Sequence, residues 1–190
     1  PMLLMGHDQP YVGSRIEDAG YAKAKNIYAY ISDIAEPMPR AAQTLLKRKR
    51  PKGLTMRTLN FKQYYKDIGD ITDIFNNAWH GNWRFAPLTA ADTDHLAKAM
   101  KPILDEKLVW LIDIDGEPAA FGVCLPNINE ALAGLDGKLL PTGWAKLLWR
   151  LKVQGVRTCR VPLMGVKRKY ASTFVGAVSP FLIIDAMRRE

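Results

Sequence analysis

The sequence predicts an α/β (α+β) domain in which a mixed, mainly antiparallel sheet is flanked by helices. Three observations carry this prediction. Two β-rich runs, residues 108–114 and 117–125, flank the pair Asp115-Gly116, the strongest short-range signal for a hairpin with a type I′ turn. Phe61, Tyr64, Ile68, Ile71, Phe75, Ala78 and Trp79 recur at three- and four-residue spacing, which makes one apolar helical stripe. A further β-rich run at residues 156–166 follows helical patterns at 129–135 and 144–153 and precedes a loop and an apolar helix.

Taken along the chain, residues 14–20 read as a short helix stopped by Gly20, and Lys25 to Asp33 alternate well enough for a strand. Together residues 1–36 form an arm without a core of its own. Residues 37–53, Pro-containing and basic, read as a linker. Residues 54–59 predict a strand, and Asn60 starts the long helix with Gln63 as its capping-box partner. Thr89 and Asp92 open a second helix toward Met100. Pro118 belongs at a strand end, because it cannot donate to a ladder.

Composition narrows the function classes. The 190 residues are 48% hydrophobic and 24% charged with a net charge of +8, so the chain buries a core and wholesale disorder is excluded. The longest apolar stretch, residues 174–184, is broken by Gly176, Ser179 and Pro180 and falls short of the roughly 20 residues a membrane span needs. The start carries no basic segment followed by an apolar run and a small-residue cleavage site, so a cytoplasmic protein is expected. Cys124 and Cys159 sit in strand-like runs and read as buried thiols of a reducing compartment. His7, His80 and His95 have no metal-ligand spacing, and no metal is expected. The basic run from Lys47 to Lys52 lacks aromatic residues that could stack on bases, so it reads as a solvated linker; neither a nucleic-acid nor a membrane partner is expected.

The run from Phe75 to Thr89, with Lys101-Pro102-Ile103-Leu104-Asp105 and residues 125–132, resembles a little-characterised bacterial family of the GNAT (N-acetyltransferase) superfamily. The segment from Arg160 through Gly176-Ala177 to Arg188 is similar to that superfamily's acyl-CoA-binding motif, and the likeness covers about residues 54–190. It implies a GNAT-like domain and acyl transfer from acetyl-CoA or another acyl-CoA to a small-molecule amine or peptide. Residues 16–25 are similar to the closing helix and strand of such a fold. The arm is therefore expected to be the tail of a preceding domain and the main domain to be truncated at its C-terminus. The arm would fill the missing half within one chain or, in a homodimer, between two, and removing residues 1–36 would then abolish cooperative unfolding.

Leu163, Met164, Gly165 and Val166 would end the strand beside the pantetheine, and Ser172, Thr173, Phe174, Val175, Gly176 and Ala177 would form the loop whose N–H groups face the pyrophosphate at a helix N-terminus. Lys167, Arg168 and Lys169 supply positive charge. The superfamily's loop pattern, Gln or Arg, two residues, Gly, one residue, then Gly or Ala, has no full match in either register. A catalytically silent binding or structural module is the alternative reading. Glu130 and Tyr170 are the candidate proton acceptor and donor, with Asp113 reading as a solvated strand residue. Asn82 and Trp83 are candidates for the substrate side, since loops carry function disproportionately.

Overall fold

The structure, a computed structural model, describes residues 2 and 5–190. In chain order the helices are α1 (Val12–Asp18), α2 (Arg40–Lys47), α3 (Tyr64–Trp79), α4 (Ala90–Met100), α5 (Ile128–Leu132), α6 (Gly143–Trp149), α7 (Arg168–Ala171) and α8 (Phe174–Met187). The strands are β1 (Leu54–Thr58), β2 (Val109–Ile114), β3 (Glu117–Pro126) and β4 (Cys159–Val166). They pair in the order β1-β2-β3-β4, and each neighbouring pair is antiparallel. The predicted fold class holds, with every pairing among the described residues antiparallel. Asp115 and Gly116 close the β2–β3 hairpin with φ of 51° and 83°, as a type I′ turn requires.

Strand periodicity divides the core into two layers. Val109, Leu111, Phe121, Val123 and Leu125 face Leu59, Tyr64, Ile71 and Ile74 on the α3 side. Ile112, Ile114 and Ala120 face Val178, Leu182 and Ile183 of α8. The sheet is thus enclosed between α3 with α4 and α8 with α2.

Several elements depart from the sequence reading. Asn60 caps only a 3₁₀ turn, Phe61–Gln63, by accepting from the Lys62 N–H. Its own N–H donates to Asp67 Oδ2 at 2.8 Å instead of to Gln63, because Arg57 holds Asp67 inside the fold at 2.8 Å. The segment read as linker contains α2, whose Ala42 is buried and whose Leu45 and Leu46 pack in the α8 layer. The helical pattern at 144–153 divides into α6 and a single π-helical turn, Arg150–Gln154.

The arm is the largest departure. Its helix forms as α1, with Gly20 beyond it at φ 87°. Residues 25–33, read as a strand, lie outside every ladder among the described residues, and Ile31 is fully exposed. A strand persists only where a neighbouring edge takes up its N–H and C=O groups, and here those groups face water. The capping box of α4 forms as read, with both reciprocal bonds of Thr89 and Asp92. No helix among the described residues is long and apolar enough to cross a membrane.

Candidate functional site

Strand β4 is an edge of the sheet, and its outer side defines the candidate site. The Lys167 N–H donates to the Ala119 carbonyl at 2.8 Å, and Gly165 and Leu163 stand opposite Phe121 and Val123. Bonded and non-bonded pairs alternate in an antiparallel ladder, so the backbone groups of Met164 and Val166 turn toward the open edge. The Trp79 indole N–H reaches over from α3 and donates to the Met164 carbonyl at 3.2 Å. The N–H groups of Met164 and Val166 and the Val166 carbonyl thus lie along an unpaired edge of the kind an amide-bearing chain could join.

Helix α7 stands between β4 and the segment predicted as a loop, of which only Ser172 and Thr173 lie outside a helix; Phe174, Val175, Gly176 and Ala177 form the first turn of α8. Thr173 precedes α8 without making a side-chain cap, its hydroxyl donating instead to the Tyr170 carbonyl at 2.7 Å. The first N–H groups of α8 therefore receive no cap from Thr173. Gly176 has a structural use: a Cβ there would lie 2.4 Å from the Tyr170 carbonyl oxygen and 2.5 Å from that of Ala171. It lets α7 fold against α8 rather than leaving a cradle open.

The three cations fare differently. Lys167 pairs with Asp73 at 2.6 Å and Lys169 with Glu117 at 2.6 Å. Arg168 has no carboxylate partner among the described residues; its guanidinium lies 3.3 Å from His80 Nδ1, and its N–H donates to Asn77 Oδ1 at 2.8 Å. Asn77, Asp73 and Trp79, all on α3, thus complete this end of β4. The sequence reading assigned no role to Asn77 or Asp73, and local spacing carries no signal for either, since their partners lie about ninety residues later in the chain.

Leu163, Met164, Gly165, Val166 and the residues from Ser172 to Ala177 are brought together; Glu130 is not among them. It sits before the start of β4, accepting from the Arg157 N–H at 2.9 Å, the Asn127 side chain at 3.2 Å and the Thr158 hydroxyl. The Thr158 hydrogen bond, then that of Arg157, holds its carboxyl below the usual range. Tyr170 packs its ring into the α8 layer, under the Lys169 ammonium at 4.9 Å. Asn82 and Trp83 lie in the exposed loop after α3, where Arg84 stacks on Trp83 at 5.4 Å. Asn76 clamps that loop, its side chain bonding both the carbonyl and the N–H of Leu88 at 2.9 Å.

Three clusters lie elsewhere. Asp113, read as solvated, is largely buried against Arg57 Nε at 3.0 Å, and Arg57 also binds Asp67 and Asp70. Arg57 and Asp113 border a polar cavity of about 460 Å³ on the β1 side of the sheet, lined by none of the predicted site residues. Cys124 is buried but Cys159, read as buried, is exposed, because β4 starts there at the sheet's rim. The Cys124 thiol donates to Cys159, which holds the Cys159 thiol down at about 7 against the opposing effect of burial. The same pairing, followed by burial, pushes Cys124 above the ordinary thiol range. No group of three or more potential metal ligands clusters among the described residues.

Comparison with known proteins sets this geometry in context. No family model matches the chain. It is 50% identical over 188 residues, 99% of its length, to a bacterial ceramide synthase of Caulobacter vibrioides, of which that match covers 49%. It is 39% identical over 188 residues to protein YghO of Escherichia coli, covering 48% of it. The chain thus spans about half the length of these curated relatives. Among solved structures, a candidate acetyltransferase from Pyrococcus horikoshii superposes with a TM-score of 0.44 at 16% identity, over 76% of this chain and 38% of that one.

Proposed function

We propose that the chain is part of an N-acyltransferase that moves an acyl group from acetyl-CoA or another acyl-CoA to an amine. The observation that carries this reading is the 50% identity, over nearly the whole chain, to a bacterial ceramide synthase. A ceramide is the amide of a fatty acid and a long-chain amino alcohol, so its synthesis is an N-acylation. In the reaction the amine nitrogen attacks the thioester carbonyl, the C–N bond forms, the C–S bond breaks, and the leaving thiolate takes up the proton the nitrogen sheds.

The site supports this chemistry in two ways. The open β4 edge at Met164 and Val166 offers backbone groups to a pantetheine arm, and the α8 N-terminus with Arg168 offers donors to a pyrophosphate. Glu130, with both oxygens engaged before the start of β4, receives no proton in this reading, and Tyr170 serves as a wall of the loop. The alternative, a catalytically silent module, draws on one observation: Lys167 and Lys169 are already neutralised by Asp73 and Glu117.

Calorimetric titration of acetyl-CoA and palmitoyl-CoA tests the reading. The wild-type chain should bind, and Arg168→Ala should weaken binding by about tenfold or more, the worth of a hydrogen bond to a charged group. Val166→Pro removes an outward N–H without touching the ladder with β3 and should also weaken it, with a thermal melt confirming the fold. Bound chain incubated with a long-chain amino alcohol should yield an amide by mass spectrometry. A folded chain that ignores both thioesters at millimolar concentration overturns the site; binding without amide formation favours the silent module.

A further inference from the structure

We infer that the segment between α5 and β4 is a docking surface for an anionic lipid bilayer. Residues 133–158 contain five cations, Lys138, Lys146, Arg150, Lys152 and Arg157, against one acidic residue, Asp136. Within the same segment Leu140 is 80% exposed, Trp144 52%, Trp149 60% and Val153 62%. Trp144 and Leu148 lie four residues apart on α6, and Trp149 and Val153 four apart across its junction with the π-helical turn, so they form adjacent apolar rows, with Leu140 exposed in the turn before the helix.

This ledge is ordered. The Trp144 N–H donates to the Leu139 carbonyl at 2.8 Å and its indole N–H to the Pro141 carbonyl at 3.0 Å. Gly143 sits so close to the Lys138 carbonyl that a Cβ would lie 2.1 Å from its oxygen. From the inner side Arg150 donates to the carbonyls of Ala131 and Ala133, and Lys152 to that of Leu104 at 3.2 Å. These bonds fix the segment to the domain, while Lys138 and Lys146 stay exposed among the apolar side chains.

Interleaved tryptophan, leucine and lysine is the composition of a helix lying in a membrane interface. The apolar rows sink to the headgroup boundary, the indoles sit at the level where one end is dry and the other wet, and the ammonium groups meet anionic headgroups. A second copy of the chain fits less well, since a two-fold contact would set the exposed Lys138 and Lys146 against their own copies. This inference is independent of the acyl-CoA reading: it concerns a different surface and different residues.

Sedimentation with vesicles tests it, using the whole chain with phosphatidylcholine alone and with phosphatidylcholine mixed with phosphatidylglycerol. The wild type should bind the mixed vesicles with a blue shift of tryptophan emission, lose binding in high salt, and bind pure phosphatidylcholine weakly. Two exposed-site variants, Leu140→Ser with Trp149→Ser and Lys138→Glu with Lys146→Glu, should each reduce partitioning by about tenfold or more with an unchanged melt. Absence of binding by the folded wild type overturns the inference. So does binding that both variants retain, or self-association without vesicle binding that Leu140→Ser with Trp149→Ser abolishes, which would make the ledge an interface between copies.

Discussion

Cys124 and Cys159 are alike in sequence, each in a β-rich run, yet only one is positioned to react. The thiolate is the reactive form, so a Cys159 thiol held near 7 by its neighbour should alkylate with iodoacetamide at a rate that climbs through that pH. Cys124, buried and driven the other way, should be modified only after unfolding. Cys124→Ala removes the donor, so the Cys159 midpoint should rise toward about 8.5, the value of a free thiol. A wild-type midpoint already at the free-thiol value would show that the pair does not interact. Asp113 makes the related point for carboxylates. Its neighbours along the chain suggest a solvated position, but Arg57, fifty-six residues earlier, draws it in. No local spacing announces a partner at that distance.

Helices lie close to the sheet on both faces because two glycines on adjacent strands leave room for them. A Cβ on Gly122 would come within 2.5 Å of Ile183 Cγ2 on α8, and one on Gly165 within 2.9 Å of the Phe121 ring and 3.2 Å of the Ala78 Cβ on α3. Gly122→Ala should therefore cost about 2 kcal/mol, the usual scale of overpacking a core, measured by urea unfolding; an unchanged midpoint would mean that α8 can retreat freely. In the sequence these glycines look like ordinary interruptions of strand runs. The α3 stripe, the Thr89–Asp92 cap and the Asp115-Gly116 turn were legible because each depends on residues within a few positions of one another. The predicted strand at 25–33 failed for the complementary reason: its alternation is real, but pairing needs an edge that local sequence cannot supply.

At the scale of the whole molecule residues 5–36 bury nothing: all are exposed except the half-buried Val12. The arm's described links to the domain are the Lys25 ammonium 6.0 Å from the Trp83 ring and the carbonyls of Ile34 and Glu36, which accept from Arg188. Removing residues 1–33 leaves the Arg188 anchors in place. Such a truncated chain should melt cooperatively with a midpoint close to that of the full chain, opposite to what an arm completing the core would give. Loss of the transition by calorimetry would restore the arm as a structural half of the domain.

The sequence by itself determined the α/β class, the hairpin and the long amphipathic helix, since periodicity and turn chemistry act over short stretches of chain. Tertiary structure alone decided which edge of the sheet stays open, which cations near that edge are already paired, which cysteine faces water, and that the Trp- and Lys-rich ledge lies outside the core. Each of those depends on groups that meet only when distant parts of the chain pack together, and burial and pairing are properties of that packing rather than of any run of residues.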